Sequence, residues 1–349
     1  MSQPGDTPPP AGPPAATPAP QDPIDPAAAE AALAAFEAEQ RATEGPPAAS
    51  AAPAGASAVP THVVTTASGG TRLAPLAPAR PEPVVVFDKV TKTYGTGPGA
   101  FTAIKDVSFR IDDHPGRGEM VPILGPSGCG KSTVIRLIAG LTPQFPQTSG
   151  TVLVGGQVVT GPGADRGMVF QDYTSFDHRT VLENIAFGLE CRGVGRAERR
   201  DRAMVWLGKV GLSPKKDAGK YPSELSGGMR QRVAIARTLI LEPKIILMDE
   251  PFGALDPPTR SRMQDLLIEL WREQSPTVFF ITHSVEEAVY LGDHVLIFSS
   301  SPGTILKEIK VPPPEKPAKE MLRDPAFQET VYDIKELIDR LESSSRSGD

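Results

Sequence analysis

The stretch Gly125-Pro126-Ser127-Gly128-Cys129-Gly130-Lys131-Ser132-Thr133 follows the pattern G-x-x-x-x-G-K-[ST] and restricts the fold more than any other part of the chain. Residues in this order suit the holding of a chain of phosphates. Glycines let successive backbone N–H groups point inward as an anion nest, and a helix starting behind them adds the positive end of its dipole. Lys131 reaches β- and γ-phosphate oxygens, and the Ser132 hydroxyl is a ligand for Mg²⁺. Such a loop needs a strand before it and a helix after it. The apolar run Met120–Leu124 supplies the strand, and Val134, Leu137, Ile138 and Leu141, spaced i, i+3, i+4, i+7, supply the helix. Pro122 lacks the N–H that a central strand uses, so a bulge or an unpaired acceptor is expected there.

A second run, Lys244-Ile245-Ile246-Leu247-Met248-Asp249-Glu250, reads as a buried strand ending in two carboxylates. At the C-terminal edge of a parallel sheet these acids emerge where ligands bind. Neighbours on a strand point opposite ways, which frees Asp249 for a Mg²⁺ shell and Glu250 for polarising an attacking water. By itself such an acid pair is also what a solvated strand end looks like; downstream of a phosphate cradle it reads as chemistry. Leu225-Ser226-Gly227-Gly228-Met229-Arg230-Gln231-Arg232 then precedes a helical pattern, and small residues ahead of a helix make a second anion site. Two phosphate-binding helix ends with one lysine-bearing loop suggest two copies sharing two nucleotides.

From Glu119 onward short buried strands alternate with helical segments, the pattern of an α/β fold with a mostly parallel sheet. Ahead of it, Val84-Val85-Val86-Phe87, Val90 and Tyr94 lead through Gly95, Gly97 and Gly99 into a period-two stretch from Val107, which predicts a hairpin. Residues 1–82 differ in kind. The first 80 hold 16 prolines and 24 alanines, so they read as a disordered extension, with a possible short helix over 26–40 capped at Asp25 and started by Pro26. Beyond Lys310, Pro312-Pro313-Pro314 stops the sheet. Ile334, Leu337, Ile338 and Leu341 then give a terminal helix, around residues 329–341, one apolar face.

Of the net charge of −6, the first 80 residues carry −4, which leaves a near-neutral body and argues against nucleic acid as a partner. No apolar run reaches the ~18–20 residues that cross a bilayer. The N-terminus carries no secretory signal, and two cysteines form no disulfide framework; both point to a cytoplasmic protein.

Taken in order, these residues resemble the ATP-binding subunits of ABC transporters over about residues 84–310. Tyr94 corresponds to the aromatic that stacks on adenine, residues 125–133 to Walker A, Gln171 to the Q-loop, residues 225–230 to the signature and Asp249-Glu250 to Walker B. Ala254-Leu255-Asp256 corresponds to the D-loop and His283 to the switch histidine. Singly, Tyr94 also fits an ordinary strand aromatic, Gln171 a solvated amide, His283 a satisfied strand end, and Asp256, ahead of Pro257-Pro258, a helix cap. The resemblance implies a P-loop NTPase cassette over 83–310, with an N-terminal antiparallel β subdomain, a helical signature subdomain over about 172–235, and a linker and helix over 311–349. It further implies that Lys131, Gln171, Glu250 and His283 are catalytic, that Ser132, Gln171 and Asp249 hold Mg²⁺, and that Tyr94, residues 125–133, Ser226, Gly227, Gly228 and Asp256 bind ATP. Met229 departs from the glutamine usual at the signature's fifth position, and Gln231 follows two places later.

Members of this family pair head to tail, so a second copy or a homologous ATPase is implied as partner, with hydrolysis driving membrane permease subunits from the inner face of the membrane. Absent membrane spans and a short C-terminal region fit an importer with separate chains. Residues 180–190, 225–232 and 248–256, with Ser301-Pro302-Gly303-Thr304-Ile305, resemble the nitrate/sulfonate/taurine importer group, in which a solute-binding protein acts indirectly. Residues 173–179 carry Asp and His where that group often has Leu-Pro-Trp-like residues. The alternatives are an exporter or lipid transporter with a separate permease, or a soluble ABC ATPase acting on ribosomes or DNA.

Overall fold

The computed structural model describes residues 61–65, 71–75, 82–114, 116–172, 174–312, 314 and 316–346. Along the chain, β1 (Thr61–Thr65) and β2 (Thr71–Pro75) precede β3 (Pro83–Tyr94), β4 (Phe101–Asp112), β5 (Met120–Leu124) and α1 (Lys131–Ala139). β6 (Ser149–Val154), β7 (Gln157–Val158) and β8 (Arg166–Val169) follow, then α2 (Val181–Cys191), α3 (Arg196–Lys209) and α4 (Gly227–Leu239). β9 (Ile245–Met248), α5 (Pro257–Gln274), β10 (Thr277–Thr282), α6 (Val285–Leu291), β11 (His294–Phe298) and β12 (Ile305–Lys310) lead to α7 (Ala318–Met321) and α8 (Pro325–Arg346).

Six strands form the central sheet in the order β12-β11-β5-β10-β9-β8, parallel except where β12 pairs with β11. Its inner strands are apolar throughout because both faces are covered. Met120, Ile246, Val278 and Val295 face a layer built from α2 to α6 and α8, whereas their neighbours Val121, Leu247, Phe279 and Leu296 face α1 and the second sheet. That second sheet is antiparallel, β4-β3-β6-β7, and includes the expected hairpin. Val107, Phe109 and Ile111 alternate inward as read from the sequence, with Phe109 stacked on Phe87 at 4.6 Å between ring centroids. α1 therefore lies between two sheets, and its phosphate-binding end is fixed by packing on both sides.

Four expectations need correction. Part of the extension is paired: β1 and β2 form an antiparallel ribbon, with Val63 opposite Leu73 and Val64 opposite Arg72. β1 is rich in Thr and Val, a local β preference that the composition of the whole stretch hides; the possible helix over 26–40 lies outside the described residues. Leu141 is not helical. α1 stops at Ala139 because Gly140 takes the left-handed conformation and Leu141 N–H returns to Arg136 O at 2.9 Å, a C-terminal cap that the periodicity ran through. Pro122 causes no bulge against β10, where the register is continuous. Met120, two residues earlier, directs its backbone to Asp293, so Pro122 presents its missing donor toward β11, where pairing begins only at Ile123. Finally, the terminal helix starts at Pro325, and its buried stripe is Phe327, Val331 and Ile334, with Leu337 and Ile338 partly covered. The side chain of Leu341 lies outside the described residues.

No helix among the described residues is long and apolar enough to cross a membrane. At the sheet edge the buried His294 is held between two carboxylates, and its protonation is expected to make stability depend on pH. His294 at the start of β11 lies 3.0 Å from Glu308 and 3.7 Å from Glu119. Burial by itself would lower its pKa, but the bonds to Glu119 and Glu308 outweigh that and raise it to about 9. The folded value exceeds the unfolded one near 6.5, so this stabilisation is complete below pH 6.5 and disappears as pH rises through 9. The thermal midpoint is expected to fall across that window, by up to about 1.4 kcal/mol of stability per pH unit. In His294→Gln the same scan should be flat, a comparison that differential scanning fluorimetry makes directly.

Candidate active site

The phosphate loop joins β5 to α1, and its conformation depends on small residues. Gly130 at the start of α1 has φ +93°, and a Cβ there would lie 2.5 Å from the Ile104 side chain. Lys131 is buried, and its ammonium donates to the carbonyls of Gly125 and Pro126 at 2.7 Å each, so its charge is held inside the loop by two backbone acceptors. Cys129 points into the core, where burial pushes its thiol up despite Lys131 nearby. The Tyr94 hydroxyl lies 3.3 Å from Thr133 Oγ1, which sets the ring at the end of β3 beside this loop, with the Lys92 ammonium 5.3 Å from the ring centre. Ser127 and Gly128 form the exposed crest of the loop.

Asp249 and Glu250 do separate. Asp249 is buried and accepts from Ser132 Oγ at 2.9 Å and from Arg136 at 3.3 Å, on the α1 side of the sheet. Glu250 lies just past the end of β9 with φ +46°, a left-handed backbone that costs a non-glycine residue about 1–3 kcal/mol. Its Oε2 accepts from Gln171 Nε2 at 3.4 Å and lies 4.0 Å from His283 Nδ1. Strand alternation gives the first acid its direction; the turn at Glu250 gives the second its own.

His283 follows β10, and its segment is anchored by a buried carboxylate. Thr282 Oγ1 donates to Glu287 at 2.6 Å, and Gln264 Nε2 donates to the same group at 3.2 Å. Burial raises the Glu287 carboxyl above its usual range, against the bond from Thr282 and the nearby Arg260. On its open side, His283 borders a groove of about 370 Å³ shared with Gly125, Pro126 and Ser127, which is closed by Lys335 and Asp339 of α8. Lys335 donates to Glu286 at 2.6 Å.

Tyr94, Lys131, Ser132, Thr133, Gln171, Asp249, Glu250 and His283 thus come together, as expected from their order. The signature residues lie elsewhere. Ser226 caps α4 by accepting from Met229 N–H, Gly227 opens that helix, and a Cβ on Gly228 would lie 3.1 Å from Thr259 on the first turn of α5. Asp256 is a helix cap in this chain, accepting from Thr259 N–H at 3.2 Å ahead of the two prolines that begin α5. Arg136, the partner of Asp249, carried no signal in the sequence. Gly303 carried one only through the late Ser301-Pro302-Gly303 stretch. Its backbone bonds Ala103 and Lys105, and a Cβ there would lie 1.9 Å from the Cys129 carbonyl. Gly303→Ala is therefore expected to displace the phosphate loop and weaken ATP binding about tenfold or more, since an overpacked contact costs roughly 1–3 kcal/mol. Titration with a fluorescent ATP analogue measures it.

Comparison with known proteins agrees with this geometry. Residues 104–253 match the ABC transporter family. The chain is 49% identical over 247 residues to the nitrate import ATP-binding protein NrtD of Synechocystis, covering 69% of this chain and 89% of that protein. It is 50% identical over 218 residues to the taurine import ATP-binding protein TauB of Burkholderia thailandensis, covering 62% and 80%. Among solved structures, a dimeric ATP-binding cassette in a post-hydrolysis state with ADP and Pi superposes with a TM-score of 0.57 at 34% identity, over 65% of this chain and 99% of that one. With the phosphate loop, the acid pair and the switch histidine assembled on a P-loop NTPase fold, the chain belongs to the ABC transporter family, as one of its ATP-binding, ATP-hydrolysing subunits.

Proposed function

We propose that this chain energises import of a small solute of the nitrate, sulfonate or taurine kind, through separate permease subunits at the inner face of the membrane. The reading is supported by the contacts that bring Ser132 to Asp249 and Gln171 and His283 to Glu250 on one cassette, together with the two relatives named for nitrate and taurine import. A signature at the start of α4, against the first turn of α5, suits a head-to-tail pair in which each ATP lies between the phosphate loop of one copy and the signature of the other. Ser226, Gly227 and Gly228 then bind the nucleotide of the partner site, and the D-loop around Asp256 lies along the seam.

In that arrangement Lys131 exchanges two loop carbonyls for phosphate oxygens, and Tyr94 stacks on the base. Ser132, Asp249 and Gln171 offer only oxygen donors and a partial shell. That donor set suits Mg²⁺, which keeps water and substrate oxygens among its ligands. When bound, the ion neutralises charge on the β- and γ-phosphates. Glu250 accepts a proton from the attacking water as its oxygen bonds to the γ-phosphorus and the bond to the β–γ bridging oxygen breaks, releasing ADP. His283 and Gln171, both beside Glu250 Oε2, orient the water and the γ-phosphate.

An apolar groove of about 390 Å³ lies beside Gln171, between Phe170, Phe176, Phe187 and Leu241. It offers the permease a site from which movement of the Q-loop is felt. The test is reconstitution in liposomes with candidate permease and solute-binding proteins of the nitrate, taurine or sulfonate kind. ATP-dependent uptake of labelled nitrate, taurine or an alkanesulfonate supports the reading; ATP-dependent efflux, or no uptake of any of these, refutes it.

A further inference from the structure

We propose that Gln231 is a positioning residue for Glu250, linking the signature helix of a cassette to the general base of the same chain. This rests on the roles given above to Glu250 and the signature. Gln231 lies in the second turn of α4 and is fully buried, at 0% exposure. Its Nε2 donates to the carbonyl of Pro251, the residue directly after Glu250, and that acceptor fixes which way the amide faces. Its Oε1, equally buried, has no partner.

The second half of that amide argues against a purely structural role. A buried polar atom left unpaired is destabilising, so the oxygen half of this amide works against stability and only its donor half, on Pro251 O, contributes. What glutamine supplies is a hold on one carbonyl. Glu250 needs such a hold because its backbone is left-handed and persists only where its surroundings over-determine it. Among the contacts that do so, Gly253 N–H returns to Glu250 O at 3.2 Å, Phe252 is buried at 1% exposure, and Gln231 donates to Pro251 O between them. Ser226 and Gln231 are on one rigid helix end, five residues apart. A signature drawn onto the ATP of the partner copy therefore shifts the atom that orients this chain's own base, and the readiness of one site depends on occupancy of the other.

The test uses the full-length chain. Gln231→Met keeps the volume and removes the donor. The expected result is a fall in kcat of about tenfold to a hundredfold, typical of a misplaced reacting group. KM for ATP and the thermal midpoint should change little. Combined with Glu250→Gln it should cause no further loss, because both act on one step. Gln231→Glu is a second variant: ionised it cannot donate to Pro251 O, but protonated it can. Its turnover relative to the parent chain should climb as pH falls, whereas that of Gln231→Met should not. Parent-like kcat in both variants overturns the proposal. So does loss of ATP affinity in step with turnover, or an undiminished effect of Gln231→Met on top of Glu250→Gln. Near-normal turnover in Glu250→Gln alone would instead sink the base assignment, a separate failure.

Discussion

Glu250→Gln lowers steady-state ATP hydrolysis by roughly 10²–10⁴-fold, the usual contribution of a positioned acid or base, while ATP binding persists. The expectation follows from what the substitution leaves alone. Gln and Glu have the same shape, so the left-handed turn, the bond from Gly253 N–H and the buried Phe252 are retained. The amide oxygen still accepts from Gln171. What goes is the basic carboxylate beside Gln171 and His283, the group proposed above to take the proton from water. The phosphate loop, Ser132 and Asp249 are untouched, so ATP still binds and the closed pair of cassettes accumulates for want of hydrolysis. Two measurements check this: a coupled ATPase assay, and light scattering with ATP or ADP, in which only ATP should double the mass. Turnover near that of the parent chain, or a monomer under ATP, contradicts it.

The parts of this site legible in the sequence are those whose chemistry is local. Residues 125–133 specify a loop conformation and its ligand within nine positions, and Asp249-Glu250 announce themselves at the end of an apolar run. The two-sided burial of β5, β9, β10 and β11 was equally plain, because a strand covered on both faces has no polar period. What stayed hidden depends on distant segments meeting. Arg136 is an unremarkable helix residue until β9 brings Asp249 beside it. Gly303 looks like any turn glycine, and only the fold shows the Cys129 carbonyl against it. Helix ends were misjudged where a cap overrode periodicity, as at Gly140. Asp256 shows the converse: the sequence left a helix cap and a nucleotide contact both open, and the carboxylate accepts from Thr259 N–H. The Thr- and Val-rich pairing of β1 with β2 was hidden by the proline and alanine around it.

Lys131→Met separates binding from chemistry in the opposite sense to Glu250→Gln. The Lys131 ammonium is buried, and it makes two 2.7 Å bonds to carbonyls that close the loop around it. On binding, two neutral carbonyl acceptors are exchanged for charged phosphate oxygens, whose ion-paired hydrogen bonds are about twice as strong, so much of the site's affinity for the β- and γ-phosphates rests on this one side chain. Methionine fills the same channel without a donor. ATP affinity should therefore fall by roughly 10²–10⁴-fold, and hydrolysis with it, while ADP, which has no γ-phosphate, should lose less. The fold itself should survive, because Gly125 and Pro126 are half-buried and water satisfies their carbonyls once the lysine is gone. Isothermal titration with ATP and ADP, alongside a thermal melt, reads all three quantities. Equal losses for the two nucleotides would mean that Lys131 shapes the loop rather than gripping the γ-phosphate. A collapse of the melting point would mean that its charge is needed to hold β5 and α1 together.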